Sequence, residues 1–156
     1  MGRIHPDPFT CVRPEVNYRV RACTRYAIEE NQRIELFIEL ARGTMQRSSL
    51  AAFRQMGELM MQSHWSYTEC GLGCEATDEL VELVWQHRGE DLLFGAKITG
   101  GGAGGTVAVL GAPDGAAAFQ RVVAEYSRLR SVKPYVFEGS SIGADRFGIR
   151  VLRENA

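Results

Sequence analysis

Between an apolar run ending in KIT and another beginning TVAVL, positions 100–105 read GGGAGG, five glycines in six residues. No helix propagates through such a stretch, because each glycine costs about 1 kcal/mol relative to alanine inside a helix. The flanking segments, 92–98 and 106–110, read as strands, so the chain must accommodate a strand–loop–strand unit whose loop is nearly all backbone. A tight hairpin turn needs about two glycines for its positive φ angles. Five in six exclude side chains over a length comparable to a phosphate group, and successive bare amides can form an anion-binding nest.

The short phosphate-binding motifs do not account for the run. Gly100, Gly102 and Gly105 satisfy G-x-G-x-x-G, but the dinucleotide fingerprint must open a helix, and TVAVL is a strand. Including Val107 gives the glycine loop of protein kinases in a suitable strand–turn–strand setting, yet no V-A-I-K, H-R-D or D-F-G element accompanies it. A Walker loop fails because no Lys-Ser or Lys-Thr ends the run. A hairpin with no ligand is the plain alternative.

The remaining periodicities place this unit in an α+β chain. Residues 1–17 carry three prolines and no periodicity, which predicts an extended N-terminal segment. In NYRVRAC, Tyr18, Val20 and Ala22 alternate with arginines and predict a first strand. A helix capped by Thr24 follows, with Ala27, Ile34, Phe37 or Ile38, and Ala41 on one face and Gly43 as its end. A second begins after Ser48 and Ser49 and carries Phe53, Met56, Met60 and Tyr67, with Gly57 as an interior cost. A third has Thr77 as cap, acidic residues first, His87 and Arg88 last and Gly89 beyond, in accord with the helix dipole. After the glycine unit, 116–129 read as a helix stopped before Pro134, and 135–137 and 147–151 as short strands. Too few β-α-β units occur for a doubly wound sheet, so the expected architecture is helices packed on a mostly antiparallel sheet.

Composition narrows the partners. At 156 residues the chain fits one domain with a real core, and no stretch nears the roughly 20 apolar residues of a membrane span. With 18 basic against 19 acidic residues, no global field recruits nucleic acid or an anionic membrane. Cys11, Cys23, Cys70 and Cys74 occur without a signal-peptide pattern in MGRIHPDPFT, so reduced thiols and a cytoplasmic location are expected. His64, Cys70, Cys74 and His87 lack the paired spacing of a structural zinc site, and no metal is expected on them. His64 reads as a helix-packing residue, and Lys97 either as an outward strand lysine or as a cation at the loop's edge.

Several stretches together resemble the C-terminal half of GHMP-type small-molecule kinases, nearest the sugar 1-kinases of the galactokinase and L-arabinokinase group. They are the L-M-x-x-S-H-x-S-like segment 59–66, C-G-L-G at 70–73, D-E-L-V at 78–81, T-G-G-G-x-G-G at 99–105 and E-G-S-S-x-G-A at 138–144. The C-G-L-G and E-G-S-S elements look more like the L-arabinokinase branch. This resemblance implies a ferredoxin-like α+β sandwich over residues 18–156 and transfer of the γ-phosphoryl group of ATP, with Mg2+, to the anomeric hydroxyl of L-arabinose or galactose. It implies that Thr99, Gly100, Gly101, Gly102, Gly104 and Gly105 support the nucleotide-phosphate loop of another half, and that Tyr18 contacts the sugar. Ser140 and Ser141 could hydrogen-bond a ligand or simply form a turn.

The departure from the family pattern is large. Its principal ATP loop, catalytic carboxylate and arginine come from an N-terminal half that these residues do not contain, so no catalytic residue is expected within this chain. The chain is expected to work with that half in cis or in trans. The alternative is a non-catalytic small-ligand-binding or dimerising module that retains the fold.

Overall fold

The structure, a computed structural model, describes residues 11–88, 92–139 and 142–149. Its elements in chain order are α1 (Val20–Gln46), α2 (Leu50–Glu69), α3 (Glu75–Gln86), β1 (Leu93–Thr99), β2 (Thr106–Gly111), α4 (Ala116–Arg130) and the short α5 (Ala144–Phe147). Helices packed on an antiparallel sheet make this an α+β fold, as the periodicities predict. No helix among the described residues is long and apolar enough to cross a membrane.

Strands β1 and β2 form a two-stranded antiparallel ladder from Leu93 opposite Gly111 to Thr99 opposite Thr106, with a bulge between Leu93 and Gly95. Helices α3 and α4 supply the main core against it. Val81 and Val84 of α3 meet Ala96 of β1 and Ala118 and Val122 of α4, all with no solvent exposure. Spacings of three and four residues put these side chains on one face of each helix.

Helix α2 runs along the other side of β1. The N–H of Ile98 donates to Nδ1 of His64 at 3.2 Å and is therefore not spent on β2. Backbone approach is closest at Gly57: a Cβ there would lie 2.0 Å from the Phe94 carbonyl oxygen, and one on Gly95 would lie 2.4 Å from the Gly57 oxygen. The interior glycine that the helix pattern marks as a cost is thus the residue that lets helix and strand touch. Next to it, Phe53 stacks on Phe94 with ring centroids 5.4 Å apart.

The predicted first strand is corrected. Val20 opens α1, and it is exposed, so the short alternation of Tyr18, Val20 and Ala22 has no buried face. From there the chain is free of proline and glycine up to Gly43, and Ala22, Tyr26, Glu30, Arg33 and Phe37 recur at helical spacing on the inner side. Thr24 lies inside the helix and caps nothing; Arg19 stands at the N-cap. The helix also runs past Gly43 to Gln46. Helix α2 begins after the Ser48–Ser49 pair as expected, and Ser49 caps it, its Oγ accepting from Ala52 N at 3.4 Å. In α3 the cap is Cys74, and Thr77 sits in the first turn with its hydroxyl donating to the Cys74 carbonyl.

The expected strand at 135–137 is also absent. Tyr135 and Phe137 are exposed and pack edge-on against each other at 4.7 Å, with no strand among the described residues beside them to complete a ladder. Phe147 closes α5, so the alternation expected at 147–151 does not begin there, and positions 150 and 151 lie outside the described residues.

The Gly57 contact can be tested directly. Gly57→Ala should destabilise the chain by about 3 kcal/mol or more despite alanine's better helix propensity. Gly43→Ala, where an added Cβ meets no described atom within 4 Å, should stabilise by about 0.5–1 kcal/mol. Urea unfolding of the two variants distinguishes a close-packing glycine from a merely tolerated one.

Candidate functional site

The six residues between β1 and β2 close over a neck in which Thr99 Oγ1 donates to the Thr106 carbonyl at 3.1 Å. Gly100, Gly102, Gly104 and Gly105 all have positive φ, and so does Ala103 at 58°. The tip is seated on the turn between α2 and α3. Ala103 N donates to the Leu72 carbonyl at 2.7 Å, and the Tyr67 hydroxyl donates to the Gly100 carbonyl at 3.1 Å. A Cβ on Gly102 would lie 2.5 Å from the Leu72 oxygen and 2.9 Å from the Tyr67 ring. C-G-L-G and the glycine run, about 30 residues apart in sequence, are therefore the two halves of one contact.

Gly101 differs from its neighbours. Its φ is outside the left-handed region, and a Cβ placed on it meets no described atom within 4 Å. Neither backbone conformation nor internal packing among the described residues requires glycine there. The outer side of the hairpin presents open backbone at Gly100, Gly101, Gly104 and Gly105.

On the far side of the α2–α3 turn is a cleft of about 660 Å3 whose charged lining is Glu75, Asp78, Glu79 and Glu82 against Arg19 and Arg130. Arg130 pairs with Glu75 and Glu79, and the Arg19 guanidinium donates to the carbonyls of Thr68 and Glu69. Four carboxylates against two engaged guanidiniums disfavour a polyphosphate in this cleft.

Tyr18 lies just before Arg19 in the segment leading into α1, half-exposed, and its hydroxyl oxygen accepts from Arg13 N at 3.0 Å. The structure thus ties Tyr18 to its own segment and not to the hairpin. The neighbouring Arg19 fastens that segment to the end of α2, next to the turn that seats the glycine run. Ser140 and Ser141 lie outside the described residues.

Lys97 corrects both of its expected roles, for it turns inward. Its Nζ donates to Ser63 Oγ at 2.6 Å and to Glu30 Oε1 at 3.1 Å, while Ser63 Oγ also lies 2.5 Å from Glu30 Oε1. Arg33 Nε donates to the other Glu30 oxygen at 2.9 Å. Burial alone would raise the Glu30 carboxyl, but the hydrogen bonds from Ser63, Arg33 and Lys97 outweigh it and hold the group below its ordinary value. This polar cluster ties α1 and α2 to the strand that ends at the hairpin. Sequence reasoning missed it; the available signal was Glu30 and Arg33 falling on the same helical face as Tyr26 and Phe37.

His64 is fully buried. Its Nδ1 accepts the Ile98 N–H, which assigns the ring proton to Nε2. Nε2 stands 3.1 Å from Asp78 Oδ1 but off the hydrogen-bond direction, so it has no proper acceptor. Burial pushes the imidazole below its ordinary value while Asp78 pulls the other way. His64 therefore works as a neutral packing residue. His87 Nε2 lies 2.8 Å from Glu125 Oε2 and joins α3 to α4. Among the described residues no group of histidine, cysteine or carboxylate side chains is placed to hold a metal ion.

These pKa directions predict acid lability. The Glu30 carboxyl titrates lower in the folded chain than its unfolded value near 4.5, so it contributes stability above that pH and loses it as pH falls through the folded value. Glu30→Gln should cost about 3 kcal/mol at pH 7 and flatten the dependence of unfolding free energy on pH below about 4.5. A pH series of denaturant melts checks both.

The family described as GHMP kinases C terminal matches residues 47–128, which run from the start of α2 through the glycine hairpin and α4. An L-arabinokinase of Arabidopsis thaliana is 40% identical over 96% of this chain and 15% of its own length. Galactokinases of Thermotoga petrophila and Thermotoga maritima are 32% and 30% identical over 58% of this chain and 23% of theirs. The chain therefore spans less than a quarter of the length of these relatives.

Proposed function

Because the chain belongs to the GHMP kinase C-terminal family, we propose that residues 18–156 are the C-terminal domain of an ATP-dependent sugar 1-kinase of the L-arabinokinase or galactokinase kind. The reaction moves the γ-phosphoryl of ATP to the anomeric hydroxyl of a sugar, with L-arabinose or galactose as the candidates. Phosphoryl transfer is mainly positioning and charge stabilisation, so a rigid, side-chain-free surface against the nucleotide phosphates has a direct role.

Gly101 carries this reading. A residue with ordinary φ and open space around it has no need to be glycine unless something outside the described residues comes close. On this proposal the outer face of Thr99–Gly105 lies against the phosphate-binding loop of an N-terminal half, supplied in cis or in trans. Tyr67, Leu72 and Ala103 hold it there. ATP and Mg2+ are held chiefly by that half. Tyr18 contributes a phenol to the sugar, a group with one hydrogen bond to give and an apolar face for a pyranose.

Combining the chain with an N-terminal kinase half, mixed or fused, should give sugar-dependent ADP release. Gly101→Val should lower kcat/KM by about 100-fold or more with an unchanged melting temperature, because the valine has room in this domain and obstructs only what docks on it. Full activity in that variant would remove the hairpin from the phosphate site. Tyr18→Phe should raise KM for the sugar and leave KM for ATP unaltered; an unchanged sugar KM would retire that assignment.

A further inference from the structure

Helices α1 and α2 run antiparallel, and three contacts define their seam. Ser63 meets Glu30 at 2.5 Å, the rings of Tyr67 and Tyr26 lie 5.4 Å apart, and Cys70 stands beside Cys23. Each step of four and then three residues back along α1 is matched by the same step forward along α2, the spacing that keeps side chains on one helix face. The thiol pair is the last rung. Arg19, bonded to the Thr68 and Glu69 carbonyls, secures the seam beyond it.

We propose that Cys23 and Cys70 form a redox-sensitive pair that closes to a disulfide under peroxide and reopens under thiol reductants. Closing the pair brings the two sulfurs to the S–S length of roughly 2.05 Å. Cys70 is the C-cap of α2 and is followed by Gly71 at φ 86°, so the shift falls at a helix end and not in its interior. Cys74 instead caps α3, and Cys11 lies in the exposed N-terminal segment, so neither belongs to the seam.

The chemistry divides between an exposed and a covered thiol. Cys23 is exposed and meets the oxidant first. Its thiolate attacks one peroxide oxygen, the O–O bond breaks, hydroxide leaves, and Cys23 becomes a sulfenic acid. Burial, with Cys23 beside it, pushes the Cys70 thiol up, which leaves Cys70 as the later, resolving partner that gives up its proton as it attacks. Its sulfur attacks the Cys23 sulfur, the S–O bond breaks, and the thiol proton leaves with the hydroxyl group as water. Two electrons pass from the two thiols to the peroxide. Tyr67 is both the adjoining rung and the donor to the Gly100 carbonyl, so the bond clamps the seat of the glycine hairpin.

The test uses this chain alone, with no sugar, nucleotide or second half. Reduced, desalted protein is treated with hydrogen peroxide and digested with trypsin without reduction. The expected product loses two hydrogens and links peptide 22–25 to peptide 55–88. The link should persist in Cys11→Ser and Cys74→Ser, vanish in Cys23→Ser and Cys70→Ser, and reverse with dithiothreitol. The oxidised chain should melt roughly 5 °C higher than the reduced one. Linkage of Cys70 to Cys74 or Cys11, or oxidation of Cys23 to a sulfinic acid with the Cys70 thiol intact, overturns the proposal.

Discussion

Where α2 passes β1, no side chain separates the two backbones, because Gly57 and Gly95 face each other across the contact. The other placements follow from how deeply the helix can settle there. At this depth the His64 ring reaches the Ile98 N–H, so α2 occupies the side of β1 that another strand would otherwise need to cover. Phe53 can stack on Phe94, and Ser63 comes within reach of Lys97. One missing Cβ on each element sets the position of a 20-residue helix against the strand that leads into the glycine loop.

From that crossing the chain builds a firm seat for a loop with few interactions of its own. The α1–α2 seam is polar at Glu30, Ser63 and Lys97, aromatic at Tyr26 and Tyr67, and sulfur-lined at Cys23 and Cys70. Its aromatic rung supplies the hydroxyl that grips Gly100, and the turn beyond supplies the carbonyl that grips Ala103. A loop of glycines would otherwise be a large entropic cost to hold in one conformation. Anchoring it at two backbone points leaves its outer face bare.

Legibility followed the range of the interactions. Helices α2, α3 and α4 and the hairpin strands were readable within a residue or a few of their ends, because local spacing and punctuation specify them. The strand expected over NYRVRAC failed because three alternating residues weigh little against a following helical run whose inner face is partly charged. Glu30 and Arg33 hid that face, since buried charge departs from the amphipathic pattern on which such reading depends. The strand expected at 135–137 had suitable residue types, but a strand exists only beside a partner, and none stands next to it among the described residues.

The sequence by itself determined that residues 100–105 form a loop of bare backbone between two strands, since no other local structure tolerates that composition. It also determined the family, through motifs whose spacing does not depend on knowing the fold. Only the tertiary structure decided that C-G-L-G seats the loop, that Lys97 faces a buried carboxylate, and that Gly57 is a contact and not a defect. Those outcomes depend on which surfaces meet across tens of residues, and a one-dimensional pattern carries the propensity of each surface but not its partner.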